Sequence, residues 1–221
     1  MKLIHPEIET VFCFGEGVFH SIVIENVDFF YRFVGDLFRQ CCGEDGPAVL
    51  SIDDEPVALS GNLDLLTNFF PFEINRKILV NKITAKLEKS ALSSDFFERS
   101  QNLVAHVEKL VYDLAFQNDL EVQLPHLSIS SLIKSSGVCL NEDYSSLAEK
   151  LLVYMDLMTA NDLARLFVLV NVRSLLNHRE MEELVCSCCR KGFKILLVDN
   201  KPYAELSRER RTVIDSDLCE I

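Results

Sequence analysis

The sequence lacks the loops by which most parallel α/β proteins hold a nucleotide: neither GxxxxGK[ST] nor GxGxxG occurs in its 221 residues. Such a loop needs glycines that let backbone N–H groups close on a phosphate, then Lys and Ser or Thr for the β/γ-phosphates and magnesium. Its absence sets aside ordinary nucleotide hydrolysis. No apolar run approaches the roughly 18 residues that suggest a membrane span, and no basic stretch followed by an apolar one stands near Met1. The expectation is a soluble, cytoplasmic protein. Basic residues are also short, with 22 Lys and Arg against 34 Asp and Glu and a net charge of −12. A domain that grips nucleic acid as a monomer usually shows a basic surplus. DNA binding therefore requires cations gathered on one surface, such as an oligomer's inner wall, with acids facing outward.

At 48% hydrophobic, the chain can bury one sizeable core and a smaller second unit. Eight cysteines are present (Cys13, Cys41, Cys42, Cys139, Cys186, Cys188, Cys189, Cys219), two pairs of them adjacent. With nothing to mark secretion, they read as reduced thiols, most of them small core residues. Cys186, Cys188 and Cys189 have only His178 nearby and lack the two ligand pairs of structural zinc. Catalytic signals are equally sparse. His5, His20, His106, His126 and His178 show no triad-like spacing, and the one dense acidic run, Asp53-Asp54-Glu55 before Pro56, reads as a turn. The chain is expected not to be an enzyme, and no catalytic residue is assigned.

Along the chain, residues 1–70 read as the first part of an α/β head. Short strands are expected at Leu3 to His5, Val11 to Phe14, Val18 to Ile24 and Val49 to Ile52. Between the last two lies an amphipathic helix with Val27, Phe30, Val34, Leu37, Phe38 and Cys41 on its apolar face, Asn26 or Asp28 near its start and Gly43 past its end. Residues 71–140 read as an inserted helical leg. Asn75 is expected to cap a helix with apolar Leu79, Val80, Ile83 and Leu87, beside which Lys82, Lys86 and Lys89 form a basic stripe. A longer helix, Phe96 to Asn118, starts at an Asp95 to Glu98 capping box and carries a seam of Leu103, Val107, Leu110 and Leu114 backed by Val104 and Val111. Pro125 breaks the chain, and Ser128 to Ser136 gives a short helix ended by Gly137. Residues 141–221 return to α/β. They comprise helix Ser146 to Met158, strand Arg165 to Val170, helix Asn177 to Lys191, strand Phe193 to Val198 and a last strand near Thr212 to Ile214. The middle three make a right-handed βαβ unit.

These motifs, in this order, resemble the Csn-two family of type II-A CRISPR adaptation proteins. The residues that carry the resemblance are Phe72-Glu73-Ile74-Asn75, Lys86-Leu87-Glu88, and Ser131-Leu132-Ile133-Lys134-Ser135-Ser136-Gly137-Val138. They continue with Arg165-Leu166-Phe167-Val168-Leu169-Val170-Asn171, Ile195-Leu196-Leu197-Val198 and the closing Val213-Ile214-Asp215-Ser216-Asp217. No single motif is specific, and the weight lies in their order and spacing over nearly the whole length. The resemblance implies a degenerate P-loop-NTPase-like head with an all-helical leg. It further implies a homotetrameric ring that threads double-stranded DNA from its ends and binds calcium. Such a ring serves spacer acquisition beside the CRISPR integrase and effector nuclease, without cutting DNA.

The DNA-binding candidates are Arg76, Lys77, Lys82, Lys86 and Lys89, since a sequence-independent grip on a duplex needs cations that displace counterions from phosphates. A stripe of three lysines is also the ordinary pattern of a solvated helix face. Arg173, Arg179, Arg190 and Lys191 form a second basic patch diluted by Glu180, Glu182 and Glu183, while Arg208, Arg210 and Arg211 read as a solvated tail. For calcium, the resemblance points to Asn118, Asp119 and Glu121. The following Gln123, Pro125 and His126 depart from the more acidic pattern of the family, and a frayed helix end is the alternative. Two other functions stay open beside DNA binding: a remnant nucleotide-binding switch, and an interaction scaffold that uses the heptad-like seam.

Overall fold

Five short runs lie side by side as a parallel sheet in the order Leu63–Leu66, Leu166–Val170, Lys194–Asp199, Phe19–Ile24 and Glu209–Ile214. The computed structural model describes residues 1–221. The chain divides into two compact units, Met1–Phe72 with Glu142–Ile221, and Glu73–Asn141. In the first unit the strands are β1 (Lys2–Ile4), β2 (Phe12–Cys13), β3 (Phe19–Ile24), β4 (Val49–Ile52), β5 (Glu55–Val57), β6 (Leu63–Leu66), β7 (Leu166–Val170), β8 (Lys194–Asp199) and β9 (Glu209–Ile214). β1, β2, β4 and β5 form a second, antiparallel sheet in the order β2-β1-β4-β5. Helix α1 (Val27–Cys41) and this small sheet share one core with one face of the parallel sheet: Phe29, Phe33 and Leu37 pack with Leu3, Phe12, Leu50, Ile22, Val168 and Val198.

In the parallel sheet, alternate residues must point to opposite faces. Ser21, Phe167, Ile195, Leu197 and Asp199 therefore leave by the face opposite α1. The two later helices of this unit pack against each other and bury Leu151, Tyr154, Met155, Met158, Met181, Leu184, Val185 and Cys188. The crossover from β7 to parallel β8 is the expected βαβ unit.

The expected apolar face of α1 needs correction. Val27 is 76% and Phe38 56% exposed, and the buried residues are Phe29, Phe33, Asp36, Leu37 and Gln40. Two polar residues sit on the buried face because each is fully engaged. Asp36 pairs with Arg39 at 2.5 Å and approaches His5 at 3.4 Å. Gln40 accepts from the Ala48 N–H at 3.0 Å and donates to the Ala48 carbonyl at 2.8 Å. Asn26 does cap the helix, its Oδ1 accepting from the Phe29 N–H at 3.0 Å. Two strands, β5 and β6, were not expected. β5 carries Pro56, which an edge strand tolerates because no ladder donor is needed there. β6 holds Asp64 in the middle of its apolar run, buried and accepting from the Tyr154 hydroxyl at 2.7 Å.

The second unit contains α2 (Lys77–Ala91), α3 (Phe97–Gln117) and α4 (Ile129–Ser135), with α4 packed on both α2 and α3. Asn75 is not the cap of α2. Its side chain brackets Leu140, donating to the carbonyl at 3.0 Å and accepting from the N–H at 2.7 Å, and Arg76 takes the cap position without a side-chain capping bond. The Asp95 to Glu98 capping box does not form either. The turn before α3 closes on the Ser93 carbonyl, and Phe96 is the residue at the cap. Ser128 caps α4 through a reciprocal box with Ser131, and Gly137 follows at φ 68°. Back in the first unit, α5 (Leu147–Ala160) is capped by Ser146. A short 3-10 turn, η1 (Val172–Ser174), then leads into α6 (His178–Lys191), capped by Asn177 with Glu180 and ended by Gly192. The small-core reading of the cysteines holds only for Cys188. Cys13, Cys42, Cys139 and Cys219 are exposed and all eight are free thiols.

Candidate nucleic-acid interface

Helix α2 concentrates positive charge within an acidic chain, carrying four lysines against one glutamate and no acid in its first turn. Arg76, Lys77, Lys82, Lys86 and Lys89 are all exposed. At about 100° per residue, Lys82, Lys86 and Lys89 fall within a ~60° sector, so the three ammonium groups share one face. Lys77 lies roughly 140° round the helix from Lys82, and Arg76 about 120°. The five residues are thus not one patch but a stripe and a separate cationic start. The sole acid of the helix, Glu88, is itself met by Lys134 of α4 at 3.5 Å, which removes its charge from competition with the stripe. At the start of α2, unpaired N–H groups give the N-terminus partial positive character, and Arg76 and Lys77 add to it.

The second basic patch does not exist as a patch. Arg173 is buried, its Nη2 donating to Glu209 at 2.6 Å and its Nε lying 3.2 Å from Asp199. Arg179 is paired with Glu183 at 2.9 Å, Arg190 bonds Ser187 at 3.1 Å, and Lys191 is paired with Asp156. The last cluster is no tail. Arg210 and Arg211 lie on β9, and Arg211 bonds Glu209 and the Tyr203 carbonyl. Burial would raise the Glu209 carboxyl, but donors from Arg211, Ser21, the Leu206 N–H and Arg173 together hold it below its ordinary value. Asp199 has no such set of donors, and burial pushes it up to about 7 against the pull of Arg173. Sequence alone gave Arg173 the same standing as an exposed arginine. The signal that separates it is position: it follows a buried strand by three residues, in a turn where Asn171 adopts φ 55°.

At the end of α3, Asn118 is the C-cap and its amide donates to the Leu114 carbonyl at 2.8 Å, while Asp119 adopts φ 53°. Asn118, Asp119 and Glu121 are exposed. Calcium takes about six to eight oxygens. Nowhere do three His, Cys, Asp or Glu side chains gather as they would around a metal ion. Asn118, Asp119 and Glu121 hold too few side-chain oxygens to fill a calcium shell on their own. Burial pushes the Cys188 thiol up to about 12, which keeps it protonated.

The histidines are dispersed. His20 sits edge-on to Phe12 and Phe14 and bonds the Cys13 carbonyl at 2.9 Å, with burial lowering its proton affinity. His5 is buried against Phe33 and Asp36. Apolar residues, by contrast, are left open on α3. Leu103, Leu110 and Leu114 of the expected seam are 49%, 57% and 50% exposed, and Val104, Val107 and Val111 are half-buried. No helix is long and apolar enough to cross a membrane.

No curated protein matches the chain. A family model described as CRISPR-associated protein (Cas_Csn2) matches residues 40–218. The matched span takes in the helical unit, the stripe on α2 and the β7-α6-β8 crossover, and through it the chain belongs to the Cas_Csn2 family of type II-A CRISPR-associated proteins.

Proposed function

We propose that this CRISPR-associated chain is a non-catalytic protein that holds double-stranded DNA by its ends during spacer acquisition. It would work as a closed homotetrameric ring beside the CRISPR integrase and effector nuclease. The observation that carries the reading is the stripe of Lys82, Lys86 and Lys89 on one exposed face of α2, in a chain of net charge −12. A surface so unlike the rest of the molecule suits a partner of opposite charge, and repetition around a ring would multiply each phosphate contact. Calcium enters the proposal only as a ligand that draws its remaining oxygens from beyond Asn118, Asp119 and Glu121.

A gel shift on one duplex, linear against covalently closed circular, with and without calcium, tests the reading. Retention of the linear form alone is the expected result, weakening steeply as salt rises because bound counterions must be released. Reversing Lys82 and Lys86 to Glu is expected to weaken retention by about tenfold or more while assembly survives. Equal binding to both topologies would replace the ring with an open groove. Unchanged retention in the reversed variant would move the DNA face away from α2. The open apolar seam of α3 favours a second reading, a protein-interaction scaffold, and binding to neither DNA form would make that the function to pursue.

A further inference from the structure

A cavity of about 100 Å³ opens between η1, the start of α6 and the connection from β8 to β9. Its wall is largely apolar, built from Leu176, Met181, Ala204 and Leu206. Arg173, His178 and Tyr203 complete the lining. Buried here without a hydrogen-bond partner in the protein are Nε and Nη1 of Arg173 and the hydroxyl of Tyr203, and beside Nε both oxygens of Asp199. The Arg173 side chain is only 3% exposed and is held through its other nitrogens, Nη2 on Glu209 at 2.6 Å and Nε beside Asp199 at 3.2 Å. It cannot turn away to satisfy Nη1 elsewhere without breaking those contacts. Buried donors are rarely left unmet, and a charged one least of all.

The chemistry of the lining narrows what could meet them. Nε and Asp199 face each other at 3.2 Å as an ion pair, and the two groups left, Nη1 and the Tyr203 hydroxyl, can both donate, which argues for a ligand with acceptor oxygens; a guanidinium favours an anionic one. At about 100 Å³ the cavity cannot take in a whole nucleotide, since an apolar cavity of about 150 Å³ is filled by benzene. A tetrahedral oxyanion would press oxygens against every wall, four residues of which offer nothing polar. A carboxylate carries acceptors at one end and an apolar stem at the other, which suits a lining that offers both donors and apolar side chains. Charge permits it. Arg173 and Arg211 face Glu209 and Asp199, and because burial pushes Asp199 up to about 7, part of that carboxylate is protonated near neutrality. The guanidinium then keeps positive charge to spare.

We infer that this cavity binds a small aliphatic monocarboxylate of about two to four carbons, its carboxylate on Arg173 Nη1 and the Tyr203 hydroxyl and its stem against Leu176, Met181 and Leu206. The inference stands on the first unit alone and does not depend on DNA binding.

The test is an NMR titration of the full chain with propionate, against 1-propanol and inorganic phosphate at matched ionic strength. Propionate is expected to shift the Arg173 Nε–H and the amides of residues 203 to 206 saturably, with a Kd of about a millimolar or tighter. Tyr203→Phe keeps the ring and removes the donor, and should weaken binding by about tenfold. Ala204→Leu starts from an exposed position, so the fold should tolerate it, and it should abolish binding by filling the cavity. Saturation by propanol as strong as by propionate would overturn the role of the two donors. Phosphate binding at the same resonances would overturn the carboxylate class, and no saturable shift with any probe would overturn the site.

Discussion

Burial and pairing pull the two carboxylates that face Arg173 in opposite directions. Glu209 accepts from four donors and is held below its ordinary value, so its contribution to stability is lost only as pH falls through that low range. Asp199 is fully buried, and its proton affinity rises from the ordinary 3.8 to about 7. Between those two values the folded state holds a proton that the unfolded state releases. Its contribution is therefore complete below about pH 4 and is lost as pH rises through about 7. Each pH unit in that window costs up to about 1.4 kcal/mol from this one group. Asp199→Asn removes the titration. Denaturant unfolding at pH 5 and pH 8 should show the variant gaining on the parent protein by about 1–3 kcal/mol between the two. An equal difference at both pH values would place the proton on another group. None of this was legible in the sequence, where Asp199 reads as the first polar residue after an apolar strand. Its character comes from burial under the assembled sheet, which outweighs the pull of the Arg173 brought beside it.

The β4–β5 hairpin shows the same division between local and distant causes. Asp53-Asp54 was legible as a turn, and it turns with φ of 52° and 65° between the paired residues Ile52 and Glu55. Two successive residues at positive φ make the two-residue connection that matches strand twist, for which Asn-Gly is the preferred pair. Asp54→Gly relieves the side chain at the second position and gives up only the exposed contact with Lys2. A rise in Tm of about 2–4 °C is expected by calorimetry. A fall would mean that the Lys2 contact holds the hairpin. Elsewhere, elements were legible where one strong local signal sufficed. β7 and β8 are unbroken apolar runs, and α6 has both its capping box and its closing glycine. They were not legible where a buried polar residue interrupted the pattern. Asp64 concealed β6, and Asp36 and Gln40 turned the expected face of α1 away from Phe29 and Phe33. The stripe on α2 was legible because lysines at 82, 86 and 89 need only helical spacing to share a face. The burial of Arg173 was not, because it depends on strands that lie far apart in sequence.

A chain with a net charge of −12 and a helix that leaves Leu103, Leu110 and Leu114 half exposed carries two surfaces that a lone protomer does not use. The three leucines fall within a sector of about 40° on α3, a narrow seam of the kind that seats a partner helix. A second copy offers the same seam, and closed symmetric assembly is the common outcome of such self-complementary surfaces. If the proposed tetrameric ring forms, sedimentation velocity of the full chain should give a species near four times the 25.2 kDa of one protomer, whereas this seam alone would close as a dimer. The double variant Leu103→Asp and Leu110→Asp places two charges on residues already open to solvent, so circular dichroism should stay unchanged while the large species falls apart. If phosphate contacts are shared around an assembly, that variant should also lose DNA despite keeping every lysine of α2. The reversal of Lys82 and Lys86 should do the converse, keeping the mass and losing the DNA. Loss of DNA with the mass intact in the leucine variant would break this link, because the seam itself would then be the surface that meets the duplex. Retention of both mass and DNA would put the protomer interface elsewhere than α3.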